Sequence, residues 1–84
     1  MATDFEKLIK HIVMPLVVHP EDVLVKILAE EASQLNIQLL VNEKDLGRVI
    51  GKGGKIASAI RTILYAGASK DGKRVHLDID SFSL

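Results

Sequence analysis

The residues with the clearest chemistry are Ile50-Gly51-Lys52-Gly53-Gly54-Lys55, three glycines and two lysines between segments that otherwise read as helix. Glycine inside a helix costs roughly 1 kcal/mol relative to alanine, so the run makes physical sense where bare backbone is needed. Bare backbone beside lysine suits a sugar-phosphate chain. The chain can approach closely, the N–H groups opening the next helix point at it, and Lys52 and Lys55 supply positive charge. A plain helix-turn-helix connector, in which glycines only permit positive φ, accounts for the same residues without a ligand.

Two other phosphate loops do not fit. A P-loop needs a strand before it and a Ser or Thr directly after its lysine, whereas a helix precedes these glycines and Ile56 follows Lys55. In the dinucleotide fingerprint, counted from Gly51, the third glycine falls on Ile56. Nucleotide hydrolysis is therefore unsupported.

Charge distribution favours an anionic partner although the 84 residues sum to zero net charge. Residues 1–43 hold three basic against seven acidic side chains, and residues 44–84 hold eight against four. Around the glycines, Lys44, Arg48, Lys52, Lys55 and Arg61 meet only Asp45. Such a basic face binds anions even on a neutral chain, and it also suits a merely solvated helix.

The elements that must hold this stretch follow from periodicity. Thr3 and Glu6 have the form of a capping box, and Phe5, Leu8, Ile9, Ile12, Val13, Leu16 and Val17 recur at helical spacing, with loosening expected at Pro15. His19-Pro20 predicts an extended exit. Val23, Val25 and Ile27 alternate along a first strand, and Leu35, Ile37, Leu39 and Val41 along a second, joined as an antiparallel hairpin around Ala32-Ser33-Gln34. Asn42 can cap a short helix with Leu46, Val49 and Ile50 inward, and Asp45 sits where it favours the helix dipole. After the loop comes a helix carrying Ile56, Ile60, Ile63 and Leu64, with Ala57 and Ala59 allowing close neighbours and an end near Gly67. Lys70-Asp71-Gly72-Lys73 reads as a turn, and Val75, Leu77 and Ile79 as a last strand.

The order is αββααβ. Right-handed crossover predicts a last strand parallel to the second, giving an α+β fold with a three-stranded mixed sheet and three helices on one face. Eighty-four residues at 48% hydrophobic content supply one thin core, hence a single domain over 1–84. No apolar run approaches the ~18 residues of a membrane span, Met1-Ala2-Thr3-Asp4 lacks a basic leader, and cysteine is absent, so a cytoplasmic location is expected.

These residues carry a resemblance. A strand, a short helix ending in Val-Ile-Gly-x-x-Gly, a second helix and a strand resemble the KH domain, whose GxxG loop clamps single-stranded RNA or DNA. The leading helix and hairpin resemble its type II arrangement. More narrowly, the stretch from Asp45 to Thr62, DLGRVIGKGGKIASAIRT, is similar to the small bacterial KH proteins of the KhpA type, and the likeness covers nearly the whole chain, including Pro15 and the Gly-Lys-Arg-Val lead-in to the last strand. It implies a non-catalytic RNA-binding protein, a post-transcriptional regulator or RNA chaperone, that dimerises or pairs with a second, Jag-type KH protein. Carried over by position, the clamp is Gly51, Lys52, Gly53 and Gly54. The chain departs from many KH domains at Ala57, where a bulky aliphatic is common, so base preference does not transfer.

The expected division of labour is chemical. The glycines open the backbone, Lys52 and Lys55 neutralise phosphates, Arg48 and Arg61 rim the groove, and Ile50 with Val49 and Ile56 floors it. Gly47 either lets a nucleotide come close or serves packing. No aromatic lies near the loop, so the ~1–3 kcal/mol per base available from stacking elsewhere is missing and affinity should be modest and salt-dependent.

Other sites are weaker. His11, His19 and His76 are scattered and no pair shows metal-ligand spacing, so neither a metal nor another cofactor is expected. Asp78, Asp80 and His76 share a strand face that an outward polar edge explains, and Tyr65 suits a partly buried anchor. An enzyme on an anionic substrate would rest on the lysines alone, without a base or nucleophile. A protein–protein interaction module, its loop packed against a partner and its surplus apolar surface at Leu24, Leu28, Leu40, Tyr65 and Phe82, is the alternative to RNA. Dependence of crosslinking on the loop lysines separates the two.

Overall fold

The computed structural model describes residues 4–82. Helix α1 spans Phe5–Val13, strands β1 and β2 span Leu24–Glu30 and Gln34–Val41, α2 spans Leu46–Ile50, α3 spans Lys55–Lys70, and β3 spans Arg74–Ser81. β2 lies centrally, antiparallel to β1 and parallel to β3. The three helices cover one face and the expected α+β architecture is present. Thr3 lies outside the described residues, and the N-cap is Asp4, whose carboxylate accepts from the Lys7 amide at 3.1 Å.

The sheet's buried face reads straight from its alternation: Leu35, Ile37, Leu39 and Val41 from β2 and Val75 and Leu77 from β3 are all at most 6% exposed. Against them pack Phe5, Ile9 and Val13 from α1, Val49 from α2, and Ile60, Leu64 and Ala68 from α3. The opposite face carries Asn36, Gln38, His76, Asp78 and Asp80, polar residues that need no cover.

Several expectations change. The loosening expected at Pro15 is present, as a 3₁₀ turn at Met14–Leu16, because proline cannot donate the next helical bond, but α-helix itself stops at Val13, short of Leu16 and Val17. The exit after His19 is a second 3₁₀ turn, Pro20–Asp22, since proline's fixed φ suits the first position of a helical turn as well as an extended one. Ile27, expected inside, is 45% exposed because β1 is an edge strand and its register shifts between Ile27 and Ala29. On α3 the buried positions are Ala57, Ile60, Leu64 and Ala68, three or four residues apart, so Ile63 faces outward at 47% exposure. Small Ala57 and Ala68 let this helix sit close to the sheet. α3 also runs through Gly67 to Lys70, since a single glycine costs only about 1 kcal/mol and the adjacent Ala68 is buried.

Candidate nucleic-acid interface

The loop is built by the failure of α2 to continue. The Gly51 amide closes α2 by donating to Gly47 O at 2.9 Å, but Gly51 itself sits at φ 77°, ψ 169°, which turns the chain out of the helix. A single 3₁₀ turn, Lys52–Gly54, follows, with Gly53 and Gly54 at φ 65° and 76°. Only glycine occupies this region without strain.

The three glycines are not equivalent. A Cβ at Gly51 would lie 2.6 Å from Ile56 Cγ1, whereas at Gly53 or Gly54 it would meet nothing within 4 Å. Gly51 is therefore a packing glycine that seats Ile56, and Gly53 and Gly54 are the open, approachable backbone. Beyond them no side chain caps the N-terminus of α3, a helix of 16 residues. Unpaired amides and the positive end of the helix dipole at such a terminus favour an anion. Lys52 and Lys55 are both exposed beside it.

The remaining residues singled out in the sequence separate. Arg48 stands one turn before Gly51, half-exposed, its Nη1 donating to Lys44 O at 3.0 Å and to Asp45 Oδ1 at 3.3 Å. Ile50 and Ile56 are half-buried at the loop, as a floor requires, but Val49 is fully buried and cannot touch a ligand. Arg61 is engaged on β3: its Nε and Nη2 both donate to Leu77 O, at 3.2 and 3.1 Å. Gly47 has open space around its Cα. A hollow of about 440 Å³ lies toward the opposite end of α3, lined by Tyr65, Ser69 and Arg74 among others.

Sequence reasoning missed Asp45. It is not a solvated dipole partner but a fully buried carboxylate, accepting from the Val18 amide at 3.0 Å and the His19 amide at 2.9 Å as well as from Arg48. Asn42 takes the capping role one turn earlier, accepting from the Lys44 amide at 2.8 Å. Burial is the largest influence on Asp45 and pushes its pKa up, yet the two amides, then His19 and Arg48, outweigh it and hold the carboxyl below its ordinary 3.8. The one available signal was its position as the lone acid in a basic stretch. The carboxylate ties the segment after α1 to the start of α2, and so fixes the helix that delivers the loop.

A ring nitrogen of His19 and carboxylate oxygens of Glu21 and Asp22 lie within 4.8 Å of one another, closer than the sequence suggested. They are near neighbours on one 3₁₀ turn. Glu21 faces His19 at 3.5 Å and Asp22 accepts from Asn42 at 2.9 Å, so protein contacts account for the grouping.

The chain was compared with known proteins. Residues 6–79 match the family model described as KhpA/KhpB, KH domain. The RNA-binding protein KhpA of Listeria monocytogenes is 51% identical over 74 residues, 88% of this chain and 96% of that protein. Its namesakes from Bacillus subtilis and Lactiplantibacillus plantarum are 44% and 46% identical, covering 88% and 92% of this chain and 90% and 89% of their own lengths. No solved structure matches it significantly. Family model and relatives agree over nearly the whole described fold, and this chain belongs to the KhpA/KhpB KH-domain family.

Proposed function

We propose that this protein binds single-stranded RNA by seating a short run of phosphates on the backbone of Gly53 and Gly54, at the uncapped start of α3. The observation that carries the reading is that start: two glycines at positive φ with open space where a Cβ would lie, no side-chain cap, and exposed Lys52 and Lys55 beside them. KhpA relatives bear the name RNA-binding protein, and the same chemistry suits this chain. Arg48, oriented by Asp45 and Lys44 O, adds a third cation, and Ile50 and Ile56 offer an apolar floor for bases. Arg61 joins the site only by leaving Leu77 O. Binding is non-catalytic and rests on charge and backbone, so sequence preference is weak.

The working unit is one KH domain paired with a second, either another copy or a Jag-type protein, in the cytoplasm, where it acts on transcripts as a regulator or chaperone. Pairing raises the effective concentration of a second weak site.

The test is RNA titration of the G53D/G54D variant. Both positions have open space, and aspartate tolerates left-handed backbone better than most residues, so the fold should survive while two carboxylates repel phosphate. Affinity for a single-stranded oligonucleotide should fall at least about a hundredfold, as expected when phosphate contacts are lost. Unchanged affinity, or amide resonances of residues 51–57 that do not move on titration of the unmodified protein, would refute the site.

A further inference from the structure

The hollow at the far end of α3 combines an aromatic ring with cations, and among the described residues no carboxylate lines it. Tyr65 and Ser69, one turn apart on α3, form one wall, and Lys73, Arg74 and Val75, where the turn enters β3, form the other. Its volume of about 440 Å³ falls in the range of small-molecule sites. Tyr65 is 48% exposed, whereas Phe5 is locked in the core. Lys73 Nζ already meets Glu30 at 3.1 Å, but Arg74 is exposed, and among the described residues nothing pairs with its guanidinium. The Arg74 amide donates to Ser33 O at 2.9 Å, so that free cation stands on a fixed strand.

Two other hollows each lack a part. Phe82 lines one together with Asp22 and Glu43, whose carboxylates repel an anion. Lys7, Lys10 and His11 line another beside Met14 and Pro15, with no Phe or Tyr face. Only where Tyr65 and Arg74 meet does a π surface adjoin an unpaired guanidinium. That pair suits a ligand that is itself flat and anionic, and a nucleotide is both: its base stacks on the ring and its phosphate meets the arginine.

We propose that this hollow is a nucleotide site, taking one base on the face of Tyr65 and its phosphate on the Arg74 guanidinium. Tyr65 stands about 16 Å along α3 from Gly54, at 1.5 Å per residue, so the hollow is distinct from the loop. Neither its ring nor its cation belongs to the loop, and the site does not rest on RNA being seated at Gly53 and Gly54. The loop offers bare backbone without an aromatic, whereas the hollow offers side chains that hold a base as well as a phosphate. A free mononucleotide and one unit of a single strand present the same two groups.

The chain has one tyrosine and no tryptophan, so the tyrosine ring resonances report on the hollow alone. Titration of the full chain with AMP should move them upfield, together with the amides of Ser69 and Arg74. Adenosine, which lacks the phosphate, should bind about tenfold more weakly, and inorganic phosphate should leave the ring unmoved. Y65L should weaken AMP binding at least about tenfold while Y65F retains it, and R74Q should lower AMP affinity to that of adenosine. A ring that stays still with AMP, or an AMP affinity unchanged in Y65L, overturns the site; equal affinity for AMP and adenosine overturns the part given to Arg74. A single-stranded RNA decamer identifies the source. Ring shifts at lower decamer than AMP concentration assign the nucleotide to a strand, shifts with AMP alone assign it to a free nucleotide, and both support the site. G53D/G54D should bind AMP unchanged, so a failure of RNA binding at the loop removes that reading and leaves the hollow standing.

Discussion

The two ends of α3 use the same backbone device for opposite purposes. At the C-terminus Gly72 sits at φ 70°, its amide donates to Ser69 O at 3.1 Å, and the Lys73 amide reaches back to Ala68 O at 2.8 Å. Those paired bonds satisfy the last carbonyls of the helix, and Lys73 Nζ then meets Glu30 at 3.1 Å. At the N-terminus Gly53 and Gly54 also have positive φ, but no side chain closes the first turn and the adjacent lysines are exposed. Positive φ at glycine therefore does not mark a binding site. What marks one is whether the groups it exposes have been paired, and which charges stand beside them.

The sharpest way to break this comparison is at Gly51, which combines both constraints. G51A should cost about 3 kcal/mol, the sum of backbone strain at φ 77° and a contact that forces Ile56 to move. Denaturant unfolding measures it, and a cost no larger than that of G53A would mean that Ile56 relaxes freely. RNA affinity should fall along with stability, because Ile56 lies in the first turn of α3.

Next in size is an acid effect confined to the loop end. Asp45 has its pKa lowered in the folded state, so its contribution is complete above the ordinary 3.8 and is lost as pH falls through the lower folded value. At the C-terminal turn the Gly72 and Lys73 amides donate to backbone carbonyls, not to a carboxylate. As pH drops below 3.8, exchange at the Val18 and His19 amides should quicken while exchange at the Lys73 amide keeps its ordinary acid-side trend. Equal loss at both ends would show that Asp45 does not act locally.

A smaller effect is expected at Gly72. G72A puts a Cβ at φ 70° with nothing within 4 Å, so strain alone acts and should cost about 1 kcal/mol. RNA affinity should not change. A loss of affinity in G72A would couple the two ends of the helix and undo the contrast between them.

How far the sequence exposed this arrangement depends on the range of the interaction. β2 was legible because strict alternation of Leu35, Ile37, Leu39 and Val41 is a one-strand signal, and the parallel β3 followed from crossover handedness. The glycine loop was legible because its constraint is local to a few residues. Asp45 was not, since its partners Val18 and His19 lie 27 and 26 positions away and offer backbone amides, which every residue has. The bond that Arg61 makes was not legible for the same reason: its acceptor is a carbonyl 16 positions on, invisible to charge counting. Ile63, expected inward, faces out, and Ala68, for which the stripe set no role, is buried, because periodicity gives a helix its stripe but not the sheet's distance.

The smallest predicted effect separates the two lysines of the open end from the fixed arginine behind them. Lys52 is exposed within the turn and free to follow a phosphate, so K52A should remove one counterion-releasing contact. The slope of log affinity against log salt should become shallower by about 0.7, the value for one phosphate on a single strand, with equal loss for every sequence tested. Arg48 is already bonded to Asp45 and Lys44 O, so R48A should reduce the slope less while lowering stability. If R48A flattens the slope more than K52A, the arginine reaches the phosphates directly and the open end of α3 extends back along α2.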